Sequence, residues 1–151
     1  MRFIPIFLFA FLLFSCRKGE FTTRPQLRYR SVNSRTISGP QELRIKFDLT
    51  DKEGDYTTFL GVKKVVPGCP NSGFIDSTFF SIPQDFLDSK QKDGELVIIL
   101  NENNRKDNQC SIPGTNPPVA KPDTATFSFW TRDKAGNVSD TARTETIIIL
   151  N

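Results

Sequence analysis

The 151-residue chain contains no histidine. That removes the commonest zinc ligand and the commonest general base, and with them most hydrolase designs. It has no Cys-x-x-Cys pair and no basic imidazole to lower a thiol pKa, so thiol redox chemistry has no support. No run of five or more like charges occurs, and the formal net charge is only +3, too weak a balance to attract nucleic acid. A phosphate-binding loop, a nucleophile elbow and a metal triad are all missing from the pattern. An enzyme built on this chain would have to use a carboxylate pair. Asp85, Asp88 and Asp93 are the candidates, but they lie in a polar stretch that reads as solvated, so the expectation is a non-catalytic protein.

Among what is present, the first segment is the most informative. Met1-Arg2 forms a minimal positive start, and Phe3 to Phe14 is an apolar run broken only by Pro5. As a helix this run reaches roughly 18 Å, short of the ~30 Å core of a bilayer. It has the dimensions of a signal-peptide core. The following Leu13-Phe14-Ser15-Cys16 resembles a bacterial lipobox, in which cleavage precedes a cysteine that receives a diacylglycerol. The resemblance implies a signal peptide over residues 1–15, lipidation of Cys16, a tether over 16–25 and one domain over 26–151. Each buried CH₂ of the acyl chains contributes about 0.8 kcal/mol to such an anchor. Arg2 is the only charge ahead of Cys16, so the processed chain would carry +2. Arg17 follows the cysteine where an aspartate would signal retention. By analogy with lipoprotein sorting this implies the outer membrane, and the basic Arg17-Lys18 implies its periplasmic face.

Beyond the tether the pattern is that of strands. Gln41 to Leu49 alternates Leu43, Ile45, Phe47 and Leu49 with Glu42, Arg44, Lys46 and Asp48, the period of a half-buried strand. Thr126 to Thr131 places Phe127 and Phe129 on one face and Ser128 and Trp130 on the other. Glu95 to Leu100 and Thr144 to Leu150 are continuous apolar runs that read as central strands covered on both faces. Leu27 to Val32, Tyr56 to Val66 and Phe74 to Ile82 are further strands, and Pro83 to Lys90 holds one helical turn. Gly/Pro/Asp/Asn turns punctuate the chain. About seven short strands predict an all-β sandwich. The polar stretch Asn101 to Asp123 is long for a structureless loop, unless it hides an edge strand around Pro118 to Ala120.

The segment Phe127 to Ser139, with its Asp133-Lys-Ala-Gly136-Asn137-Val-Ser139 turn, and the closing Thr144 to Leu150 resemble the last strand pair of bacterial Ig-like and fibronectin-III-like domains. Phe47 to Asp55 resembles the Asp/Gly-rich turn of small Bacteroidota-type lipoproteins. The resemblance implies an Ig-like antiparallel sandwich serving as a binding or structural module with a protein or glycan partner. It implies no particular ligand.

Three sets of residues carry candidate sites. Asp48, Asp51, Glu53 and Asp55 lie in one turn, and Asp133, Asn137 and Asp140 in another. In an Ig-like sandwich the loops after the second and sixth strands share an end, so Asp51, Glu53, Asp55, Asp133 and Asn137 can converge as hard oxygen ligands for Ca²⁺. The spacing is not that of an EF-hand, and Lys52 and Lys134 are placed to neutralise the turns. The alternative reading of the protein is therefore a calcium-dependent adhesion or binding domain. Cys69 and Cys110, both in loops, are expected to pair in an oxidising compartment. Closing that loop of about 42 residues is worth roughly 4 kcal/mol in the chain-entropy model. Trp130, opposite the two phenylalanines of its strand, is the candidate for a binding face.

Overall fold

The computed structural model describes residues 22–69, 75–76, 80–106, 114–116, 119 and 121–150. Cys16 and Cys110 lie outside the described residues, as do residues 1–15 of the expected signal peptide. Among the described residues, nine strands and two five-residue helices follow in order: β1 (Gln26–Val32), β2 (Thr36–Ile37), β3 (Leu43–Thr50), β4 (Tyr56–Val65), β5 (Ile75–Asp76), α1 (Gln84–Asp88), β6 (Asp93–Leu100), α2 (Glu102–Lys106), β7 (Asp123–Asp133), β8 (Ala142–Arg143) and β9 (Ile147–Ile149). The fold is all-β, as the alternating segments predict. No helix among the described residues is long and apolar enough to cross a membrane.

The strands form two sheets. One has the order β1-β3-β6; the other runs β2-β9-β7-β4-β5, with β8 also on β7. Among the described residues every strand pairing is antiparallel except β2 with β9. The sheets are held together by their facing apolar rows. Leu43, Ile45, Phe47 and Leu49 of β3 are buried, as are Leu60 and Val62 of β4 and Ala125, Phe127 and Phe129 of β7. Phe47 and Phe129 meet across the two layers edge to face, with ring centroids 4.9 Å apart. A buried contact of this kind is worth about 0.5–1.5 kcal/mol beyond the area removed from water.

Period-2 alternation explains the strands that the sequence predicts best: β3 matches Gln41 to Leu49, and β4 matches Tyr56 to Val66. The apolar runs behave otherwise. β6 is not a central strand but an edge of the three-stranded sheet, and its Val97 and Ile99 are 41% and 42% exposed. Only Ile98 and Leu100 of that run turn fully inward. The run from Thr144 is likewise buried on one face, with Ile148 exposed between Ile147 and Ile149. Only Ile147–Ile149 of that run is strand, and Ala142–Arg143, just ahead of it, pairs with β7 separately, leaving a break between them. Thr144 bridges that break: its N–H donates to the Phe127 carbonyl, and its hydroxyl accepts the Phe127 N–H.

The predicted helical turn is α1, which buries Leu87 and lays Phe86 against Tyr56. Of Phe74 to Ile82, only Ile75–Asp76 and a bridge at Ser81 are strand-like among the described residues. Most of the long polar stretch lies outside those residues. Its first part forms α2, and its last residue, Asp123, opens β7. The suspected strand at Pro118 to Ala120 has only Val119 described, and Val119 is not in a strand.

Candidate functional site

The β3–β4 turn and the turn that follows β7 meet at one corner of the sandwich, as the shared-end argument predicts. Tyr56 pairs with Asp133 at the last rung of the β4–β7 ladder, and the Lys134 N–H donates to the Asp55 carbonyl at 2.9 Å. Each turn is fixed locally. Gly54 and Gly136 hold φ of +66° and +90°, a region costly for residues with a Cβ. Asp133 caps its own turn, accepting the Asn137 N–H on Oδ1 and the Asn137 side-chain amide on Oδ2, both at 2.7 Å.

This corner collects Asp51, Asp55 and Asp133. One carboxylate oxygen from each lies within 4.8 Å of the other two. Asp51 and Asp133 are buried and Asp55 half-buried. Asp51 Oδ2 accepts the Asp55 N–H at 3.2 Å. Its other oxygen, Oδ1, is buried and accepts nothing, a state that ordinarily costs about 1–3 kcal/mol or more. Loss of hydration, followed by the neighbouring Asp55, pushes the Asp51 carboxyl above its ordinary pKa. Burial, and then the charges of Asp51, Asp93 and Asp55, pushes the Tyr56 phenol up as well.

Three expectations about this corner need correction, those for Glu53, for Asp48 and Asp140, and for the two lysines. Glu53 is exposed and outside the group. Asn137 turns its backbone N–H and its side-chain amide NH2 toward Asp133, so these two groups cap the turn. Asp48 and Asp140 belong elsewhere, paired with Arg30 and Arg24. Lys52 and Lys134 do not neutralise the group. Both are exposed, and among the described residues no lysine or arginine forms an ion pair with Asp51, Asp55 or Asp133.

Residues 22–25, read from the sequence as the end of a tether, lie against both turns. The Thr22 carbonyl accepts the Lys52 N–H. Arg24 pairs with Asp140 and donates to the Val138 carbonyl.

The second candidate is the outer face of the larger sheet. Trp130 and Gly61 are partners across β7 and β4, and the indole covers the glycine so closely that a Cβ there would fall 2.2 Å from a ring carbon. Gly61 thus makes room for the half-buried ring. Beside it the Arg132 guanidinium stands 5.1 Å above the Phe59 ring. The expected opposition of Trp130 to Phe127 and Phe129 holds, since those two rings are in the core.

The carboxylates considered for catalysis are exposed: Asp85 and Asp88 on α1, Asp93 at the start of β6. Asp85 borders a cavity of about 300 Å³ shared with Leu49, Phe86 and Leu96. One buried ionic site was not anticipated. Lys64, on the inner face of β4, donates to Asp123 at 2.6 Å, and both side chains are wholly buried. The signal was available, because Lys64 falls in the inward row with Leu60, Val62 and Val66.

No family model matches the chain, and no curated protein matches it. Among solved structures, the crystal structure of Spo0M, a sporulation control protein from Bacillus subtilis, is similar with a TM-score of 0.46 at 6% identity. The similarity covers 85% of this chain and 50% of that one, so the chain spans about half the length of that protein.

Proposed function

We propose that this chain is an exported, non-catalytic binding module, anchored in a bacterial outer membrane by lipid on Cys16. Its recognition surface is the outer face of the larger sheet, where it meets a protein or glycan partner. The observation that carries this reading is the seating of Trp130 over Gly61, with the Phe59–Arg132 pair beside it. An aromatic plane flanked by a guanidinium offers stacking area and a hydrogen-bonding rim at little conformational cost. The sandwich is of Ig-like type in this reading. Support comes from the orders β1-β3-β6 and β4-β7-β9, which correspond to strands A-B-E and C-F-G of an Ig domain. Pairing of Cys69 with Cys110 belongs to the same picture, supported by a disulfide-bonded Cys69 packed against the core.

Trp130 is the only tryptophan, so its emission reports on the proposed surface directly. Envelope glycans and periplasmic proteins titrated against the full chain should shift or quench that emission. Trp130→Ala should lose the captured partner, while Val97→Ser on the other sheet keeps it. Equal capture by both variants would sink the proposal. For the anchor, Cys16→Ser should leave the membrane fraction or accumulate unprocessed. A variant that stays membrane-bound at the normal size would refute lipidation.

A further inference from the structure

We propose that Asp51, Asp55 and Asp133 form a calcium site that ties the β3–β4 turn to the turn following β7. Three observations converge on it. The three carboxylates present oxygens within 4.8 Å of one another, on the scale of the separations between ligands around one ion that takes oxygens at about 2.3–2.6 Å. Among the described residues no basic side chain neutralises them. Independently of the clustering, Oδ1 of the fully buried Asp51 has no hydrogen-bond partner. Buried polar atoms are almost always satisfied, and a cation supplies the missing partner.

The ligand chemistry selects the ion. All three donors are hard carboxylate oxygens, with no sulfur or imidazole, which disfavours zinc and copper. The ligands come from two turns of different strands and leave coordination positions for water. That suits the irregular six- to eightfold shell of Ca²⁺ better than the strict octahedron of Mg²⁺. Asp133 is preset for the task, since both its oxygens are held by Asn137 and each keeps a free lone pair. The site is independent of the Trp130 surface, so either proposal can fail without the other.

The test uses the full chain, stripped with chelator. Calcium titrated by calorimetry should bind once per chain, with an affinity of about 10⁻⁴–10⁻³ M typical of extracellular modules. Saturating Ca²⁺ should raise the melting temperature by several degrees. Tb³⁺ should give luminescence sensitised through Tyr56, beside the site. Asp133→Ala should abolish all three signals. Because that variant also loses its turn cap, Asp51→Asn serves as a second one: it keeps an acceptor for the Asp55 N–H and should weaken binding at least tenfold while remaining folded. Asp140→Asn should bind as the unmodified chain does. The proposal is overturned if Ca²⁺ leaves the melting temperature unchanged, if sodium chloride or Mg²⁺ of equal ionic strength reproduces the rise, or if Asp51→Asn binds with full affinity.

Discussion

At one end of the β4–β7 ladder, Lys64 and Asp123 face each other at 2.6 Å without solvent exposure. At the other end, roughly 25 Å along the strands, Asp51, Asp55 and Asp133 converge with no basic partner among the described residues. The same two strands therefore carry two buried charge sites of opposite design. The first balances its charge with a residue of its own. The second has no such residue among those described, and only Asp55 reaches partway to solvent. An internally neutralised pair makes stability insensitive to ions and sensitive to mutation, whereas an acidic corner of that kind does the reverse, because its repulsion can be screened or occupied.

The sharpest way to break this contrast is Asp123→Ala. It leaves the Lys64 ammonium buried without its carboxylate and should cost about 3–5 kcal/mol in urea unfolding. A second change, Lys64→Met, should recover much of that loss. If Asp123→Ala were nearly neutral, the two ends would not differ in kind.

Between the ends, Gly61→Ala should cost about 1–3 kcal/mol, because its Cβ and the Trp130 indole cannot share the space. The accompanying red shift of tryptophan emission would mark the ring's ejection toward water. An unshifted spectrum would mean that the indole is not held as described.

At the acidic corner the sign should invert. In chelator, Asp51→Asn removes one of three like charges and gives the orphan position a donor, so it should stabilise by about 1 kcal/mol. The gain should shrink in high salt. Destabilisation by this change in chelator would contradict an uncompensated corner.

The smallest effect is a pH dependence at the alkaline edge. The chain has two tyrosines. Tyr29 donates to Glu145 at 2.9 Å, and burial followed by that carboxylate pushes its pKa up to about 12. Tyr56 is shifted in the same direction. A raised phenol keeps its proton in the folded state, so its contribution is complete below about pH 10 and is lost as pH rises from there through 12. Absorbance at 295 nm should therefore show no phenolate step near pH 10 while the fold persists. One tyrosine ionising there in a folded chain would refute the assignment.

Much of the architecture is legible in the sequence because alternation carries it. Leu43 to Leu49 could bury only one face as a strand, and it does. The meeting of the two acidic turns followed from the strand count together with the loop arrangement of an Ig-like sandwich. What the sequence hid was strand neighbourhood. Glu95 to Leu100 is apolar enough for the middle of a sheet, yet forms an edge, because composition does not record how many partners a strand finds. Side-chain partnership was hidden for a similar reason: Asp48 and Asp140 look like members of the acidic turns, but Arg30 and Arg24, distant in the chain, claim them. The Lys64–Asp123 pair was half legible: the inward row of β4 marks Lys64, but only the fold brings Asp123 opposite it.

The strap formed by Thr22 and Arg24 has a mechanical meaning. Those residues are stitched to both turns just before β1 begins, where Gln26 lies across from Thr50. A pull arriving through the N-terminal segment is thus shared at once by two loops from opposite layers, instead of unzipping β1 from β3 rung by rung.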